Sequence, residues 1–101
     1  MERYSSRTID DLARIVLPSE VRKNLGLQPG DNLSLAHVDT IVILHRNADA
    51  SAPECAVCQV NDLGMIELPG EIRSKLGWKV KDRVALYHTD NVIILKLAEK
   101  E

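Results

Sequence analysis

The feature that most constrains the fold is an internal duplication. When the sequence is shifted by 51 positions, so that Pro18 falls on Pro69, its halves align without a gap from Asp11 to His45. Identities fall at 15 of those 35 positions, among them Asp11/Asp62, Ile15/Ile66, Leu17/Leu68, Pro18/Pro69, Arg22/Arg73, Gly26/Gly77 and Leu44/Leu95. Chance similarity does not hold register over such a stretch, so the chain carries one structural unit twice. Residues 5–46 form the first copy and 55–97 the second. Residues 47–54, small and polar with one proline, form a linker that reaches about 28 Å when extended. A unit of this size cannot bury a core alone, so the two copies are expected to share one.

Each unit reads as strand, strand, short helix, strand, strand. Arg14–Leu17 and Met65–Leu68 have the alternation of short strands with Ile and Leu on one face. Pro18 and Pro69 suit the first helical turn, Glu20 and Glu71 face the positive end of the helix dipole, and Gly26 and Gly77 suit a left-handed stop. Leu17, Val21 and Leu25 form one apolar stripe, as do Leu68, Ile72 and Leu76. Pro29-Gly30 fits the centre of a type II turn, whereas the aligned Val80-Lys81 puts Lys81 at positive φ if the backbone is the same. Asp39-Thr40 and Asp90-Asn91 read as tight hairpin turns. The last strands, Ile41–Leu44 and Val92–Leu95, are apolar on both faces, and the units are expected to bury them against one another.

Composition narrows the function classes. Aromatic residues are only 3% of the chain, which argues against a stacking platform for single-stranded nucleic acid. No apolar run is long enough to span a membrane and the first residues lack a signal-peptide core, so the expectation is a soluble cytoplasmic protein. With a net charge of −2, binding to a polyanion must rest on local clustering of cations.

The stretch from Arg7 to Asp31, with Leu17-Pro18, the helix carrying Glu20 and Arg22, Leu25-Gly26 and the following hairpin in order, resembles the AbrB/SpoVT/MazE family of DNA-binding domains. Val60–Gly77 resembles the same motif in weakened form, and the two matches cover about four fifths of the chain. The resemblance implies a mainly β fold, a swapped-hairpin (double-split) β-barrel built from two ββαββ repeats. It also implies a transcription regulator that binds double-stranded DNA. Tandem members such as the MraZ proteins are similar in keeping both copies in one chain as an internal pseudo-dimer, with further homo-oligomerisation possible.

In AbrB-like regulators the DNA contacts are attributed to arginines of the first two strands and the helix start, and the matching positions here are Arg7, Arg14, Arg22 and Lys23. The residue pattern agrees. Arg14 alternates with the inward Ile15 and Leu17, and Arg22 and Lys23 lie off the helical stripe. Guanidinium groups present forked donors to phosphates and guanine edges. In the second copy those positions are Cys58, Met65, Arg73 and Ser74, so only Arg73 keeps its charge, and Glu67 replaces Val16 on the outward parity. Lys75, Lys79, Lys81 and Arg83 read as solvated charges. The second copy is therefore expected to act mainly as a folding partner. Ala13 stands where the family has glycine, kept here as Gly64; if the loop needs positive φ, Ala13 is strained.

Cys55-Ala-Val-Cys58 has the spacing of half a zinc or redox site but lacks a second ligand pair, and its residues fall on opposite strand faces. His37 and His88 match through the duplication. Asp10 and Asp11 precede a turn, where Asp bonds its own backbone. No motif calls for a cofactor, a metal or an enzymatic activity. Two other readings stand beside the regulator: an antitoxin-type interaction module, for which Leu97–Glu101 is a short tail, and a regulator partner that does not bind DNA.

Overall fold

The computed structural model describes residues 3–46, 56–89 and 92–98. The linker 47–54, Cys55 and the Asp90-Asn91 turn lie outside the described residues. The elements are β1 (Arg3–Thr8), β2 (Arg14–Val16), α1 (Ser19–Leu25), β3 (Asn32–Val38) and β4 (Ile41–His45), then β5 (Ala56–Gln59), β6 (Met65–Glu67), α2 (Gly70–Leu76), β7 (Arg83–His88) and β8 (Val92–Leu97). The fold is mainly β, and the ββαββ order occurs twice.

The two repeats interlock. β1 pairs with β7 of the other repeat, β5 pairs back with β3, and β4 pairs with β8, all antiparallel, giving a six-stranded sheet in the order β1-β7-β8-β4-β3-β5. β2 pairs with β6 in a separate ribbon, Ile15 opposite Ile66. Cross-repeat hydrogen bonds come in matched sets. Leu17 N–H donates to Gly64 O at 3.0 Å and Leu68 N–H to Ala13 O at 2.9 Å. Ile9 N–H reaches Asp82 O and Val60 N–H reaches Asp31 O, both at 2.9 Å. Backbone pairing leaves β1 and β5 as sheet edges, so among the described residues no hydrogen-bonded barrel closes. The ribbon instead packs its inner face, Ile15 and Ile66, into the same core as Leu33, Leu35, Leu86 and Leu95, all fully buried.

The helices form for the reasons their sequences give, with one shift. Pro18 and Pro69 are the N-caps (φ −55° and −58°), one residue before the first turn, and their carbonyls accept the first helical bonds from Arg22 and Arg73 N–H at 3.0 Å. Gly26 and Gly77 end the helices in the left-handed region at φ 68° and 71°. Leu17, Val21 and Leu25 are buried, whereas Leu76 is only half-buried. Lys81 takes φ 76° in the turn that Gly30 makes at φ 92°, and Asp82 N–H closes it on Lys79 O at 3.0 Å. Asp39 turns the first hairpin at φ 53°.

One expectation is corrected. The final strands do not cover each other face to face; β4 and β8 lie edge to edge. Val42, Leu44, Ile93 and Leu95 point into the core, while Ile41, Ile43, Val92 and Ile94 on the other face are half-buried. Edge pairing satisfies the backbone of both strands but leaves one apolar face at the surface.

Candidate nucleic-acid interface

The outer face of the β2–β6 ribbon is the natural place to build the site. Strand alternation sends Ile15 and Ile66 inward and leaves Arg14, Val16, Met65 and Glu67 outward. Arg14 stands opposite Glu67 at one end of the ribbon and Val16 opposite Met65 at the other. Matching turns enter the ribbon. Asp10 Oδ1 accepts the N–H groups of Leu12 and Arg14 at 2.9 and 2.8 Å, and Asn61 Oδ1 accepts those of Leu63 and Met65, both at 2.9 Å. These Asx contacts hold Ala13 and Gly64 at φ 62° and 75°. Leu12 and Leu63 stand 61% and 71% exposed in these turns.

Three arginines around the ribbon are fixed through the same atom. Arg14 Nε pairs with Asp10 Oδ2 at 3.2 Å, Arg22 Nε donates to Leu17 O at 2.9 Å, and Arg73 Nε donates to Leu68 O at 3.1 Å. Each bond holds the base of the fork and leaves the Nη pair for an outside acceptor. The N–H groups of Arg14 and Leu12 and the Arg14 guanidinium hold the Asp10 carboxyl below its ordinary range, against a smaller opposing effect of burial. Asp10 therefore stays ionised and keeps Arg14 oriented near neutral pH.

The other two candidates sit differently. Lys23 is exposed on α1. Arg7 is half-buried on β1 opposite Val84, the parity that the buried Ile9 shares, and its Nη1 donates to Ser6 O at 3.2 Å. The structure thus gathers Arg14, Arg22 and Arg73 about the ribbon, puts Arg7 on β1 and leaves Lys23 on the helix flank. Gly64, marked in the sequence only as the glycine kept where the first repeat has Ala13, lies with its bare backbone against the Arg22 guanidinium.

The second repeat presents a cleft at the position matching Arg7. About 510 Å³ in volume, it is lined in part by Arg14, Cys58, Gln59, Asn61, Met65 and Glu67. Cys58 is a free, buried cysteine whose Sγ approaches Glu67 O at 3.5 Å. Burial, with the Glu67 charge adding to it, pushes its thiol up to about 11. Such a thiol is protonated and poorly nucleophilic near neutrality. Among the described residues no group of three His, Cys, Asp or Glu side chains could hold a metal ion. No helix there is long and apolar enough to cross a membrane. Lys75 pairs with Glu71 at 3.3 Å on the exposed side of α2, a solvated i,i+4 contact.

No family model matches the chain, and no curated protein matches it. Among solved structures it is similar to the solution structure of PHS018 from Pyrococcus horikoshii, with a TM-score of 0.53 and 21% sequence identity over 97% of this chain and 92% of that one. At that identity the likeness concerns the fold alone.

Proposed function

We propose that this chain is an AbrB-like transcription regulator that binds double-stranded DNA through a basic face centred on the first repeat, acting in the cytoplasm. The observation that carries the reading is the set of Nε anchors at Arg14, Arg22 and Arg73. Guanidinium forks held before a ligand arrives lose less entropy on binding, and their free Nη edges suit phosphate oxygens or the paired acceptors of guanine. Lys23 and Arg7 add cations on α1 and β1. Glu67, outward and exposed on the strand of the second repeat directly across from Arg14, repels phosphate, so the two repeats contribute unequally to the face. The interlocked strands support one chain as the binding unit, since each repeat lends an edge strand to the other.

The test is a duplex titration at two salt concentrations alongside a mass measurement in solution. Neutralising five phosphates gives a log–log slope of about −4 to −5, and eight contacts, from two paired chains, give one nearer −7. Arg14→Ala with Arg22→Ala should abolish most of the affinity. Unchanged binding in that double variant refutes the reading and leaves a protein-interaction module or a partner that does not touch DNA.

A further inference from the structure

Arg22 and Gly64 belong to different repeats, yet they fit as a pair. A methyl group placed on Gly64 would fall 2.6 Å from Arg22 Cζ, 2.7 Å from Nε and 3.0 Å from Nη2. Non-bonded carbons do not approach that closely, so a methyl group there would push the end of the Arg22 side chain off the position it holds against the glycine backbone. On its other side the same side chain is tied by Nε to Leu17 O at 2.9 Å. The backbone of the seat is itself fixed, because Gly64 O accepts Leu17 N–H at 3.0 Å and Gly64 N–H bonds Asn61 O at 3.0 Å.

The duplication supplies its own control. The pair that matches Arg22 and Gly64 is Arg73 and Ala13, and Ala13, at nearly the same φ, carries the methyl group that Gly64 lacks. Arg73 keeps its Nε bond to Leu68 O, and a guanidinium laid against position 13 as that of Arg22 lies against Gly64 would collide with the Ala13 methyl group. One guanidinium lies at an open seat across the repeat boundary, and at the matching place in the other repeat a methyl group stands.

We infer that Gly64 is a positioning residue for DNA recognition: the second repeat sets the plane of the Arg22 guanidinium, while Ala13 denies the same pose to Arg73. This deepens the reading of the basic face as a DNA site and rests on it. The second repeat then does more than complete the core, because it selects which of two equivalent arginines is presented in a fixed orientation. The face becomes one-sided even though both arginines are kept. Such a protein reads one half of a site more strictly than the other.

The experiment uses the full chain and a duplex selected from a randomised pool by the wild-type protein, with Gly64→Ala, Arg22→Ala, their combination, and Ala13→Gly. An exchange variant, Ala13→Gly with Gly64→Ala, keeps one alanine and one glycine at positive φ and so guards against a folding defect in Gly64→Ala alone. The expected result is a loss of about tenfold in affinity for Gly64→Ala and for the exchange variant, similar to Arg22→Ala. The combined Arg22→Ala, Gly64→Ala variant loses no more than Arg22→Ala, and Ala13→Gly, which opens the matching seat to Arg73, binds at least as tightly as the wild type. In solution NMR the Arg22 Nε–H signal, protected in the wild type, exchanges fast once Gly64 carries a methyl group. Wild-type affinity in the folded exchange variant, beside a weakened Arg22→Ala, overturns the inference and leaves the DNA reading standing. A further tenfold loss from Gly64→Ala when Arg22 is already alanine overturns it too. If Arg22→Ala itself binds as tightly as the wild type, the role of Arg22 in the DNA reading fails, and the inferred role of Gly64 in recognition falls with it.

Discussion

Ala13 and Gly64 hold the same place in the two repeats, at φ 62° and 75°, and their carbonyls accept equivalent cross-repeat bonds from Leu68 and Leu17. Two residues with one backbone conformation differ only by a methyl group, and L-alanine in the left-handed region costs about 1–2 kcal/mol. Ala13→Gly therefore relieves strain, offset in part by the greater freedom glycine gives the unfolded chain. The expected net gain is about 0.5–1 kcal/mol, seen as a rise in Tm of a few degrees. A lower Tm would mean that the Ala13 methyl, which is buried, contributes more through packing than it loses to strain.

Lys81 offers an independent case in the turn that Gly30 makes in the first repeat. Its φ of 76° sits at the third position of a turn closed by Asp82 N–H on Lys79 O. The side chain is exposed, so no packing is lost on removing it. Lys81→Gly should stabilise the chain by about 1 kcal/mol, measured by urea midpoint at unchanged m-value. A midpoint that falls would show that the lysine has a role the turn geometry does not reveal.

Much of this architecture is readable in the residues, and the limits have a physical pattern. Local chemistry reads well: the proline at each helix start, the glycine at each helix end, the parity of Arg14 against Ile15, the positive φ at Ala13 and Lys81. Pairing between repeats follows from the size of each unit together with the family resemblance. What fails to show is contact between side chains distant in sequence. Nothing around Arg22 points to Gly64, because the seat is made by strand exchange, and the only trace is that one of two aligned positions kept its glycine. Strand burial misleads in the other direction. Ile41–Leu44 is apolar on both faces, but hydropathy does not say whether a strand is covered by a layer or flanked by neighbours, and β4 is flanked.

Interlocking has a cooperative consequence. Ile15 and Ile66 face each other, both fully buried, one from each repeat. Ile15→Ala should cost about 2–5 kcal/mol, a large part of the roughly 5–15 kcal/mol that a chain of this size has. Trp78, buried in the second repeat and the only tryptophan, reports that repeat by fluorescence, while far-UV circular dichroism reports both. The two signals should shift together. A Trp78 transition unmoved by a cavity in the first repeat would mean that the repeats unfold separately.

Acid should act through Asp10. Its carboxyl lies below the ordinary 3.8 because the N–H groups of Arg14 and Leu12 and the Arg14 guanidinium favour the charged form. A lowered folded value means that the contribution is present above the ordinary carboxylate value and disappears as pH falls through the folded one. Asp10→Asn retains the acceptor that Asn61 uses in the second repeat and drops the charge. The variant should therefore match the wild type closely in strong acid and be less stable near neutrality, the gap in Tm closing as pH falls from about 5 through the lowered value of Asp10. A constant gap across that range would assign the stabilisation to hydrogen bonding alone.

Alkali should act through Cys58. The Sγ–H is buried beside Glu67, and its folded value of about 11 lies above the ordinary 9.0. The protonated thiol is favoured in the folded chain, so its contribution is intact below the ordinary value and is lost as pH rises toward 11. Reactivity follows the same order, since only thiolate attacks alkylating agents and burial adds a steric barrier. With Cys55→Ser removing the other thiol, iodoacetamide at pH 8 should modify the folded chain far more slowly than the chain in urea. The rate should climb steeply only where the protein begins to open. Rapid alkylation of the folded protein at pH 8 would place Cys58 at an open cleft, accessible and ionised, and would turn the cavity beside it from packing space into a reactive site.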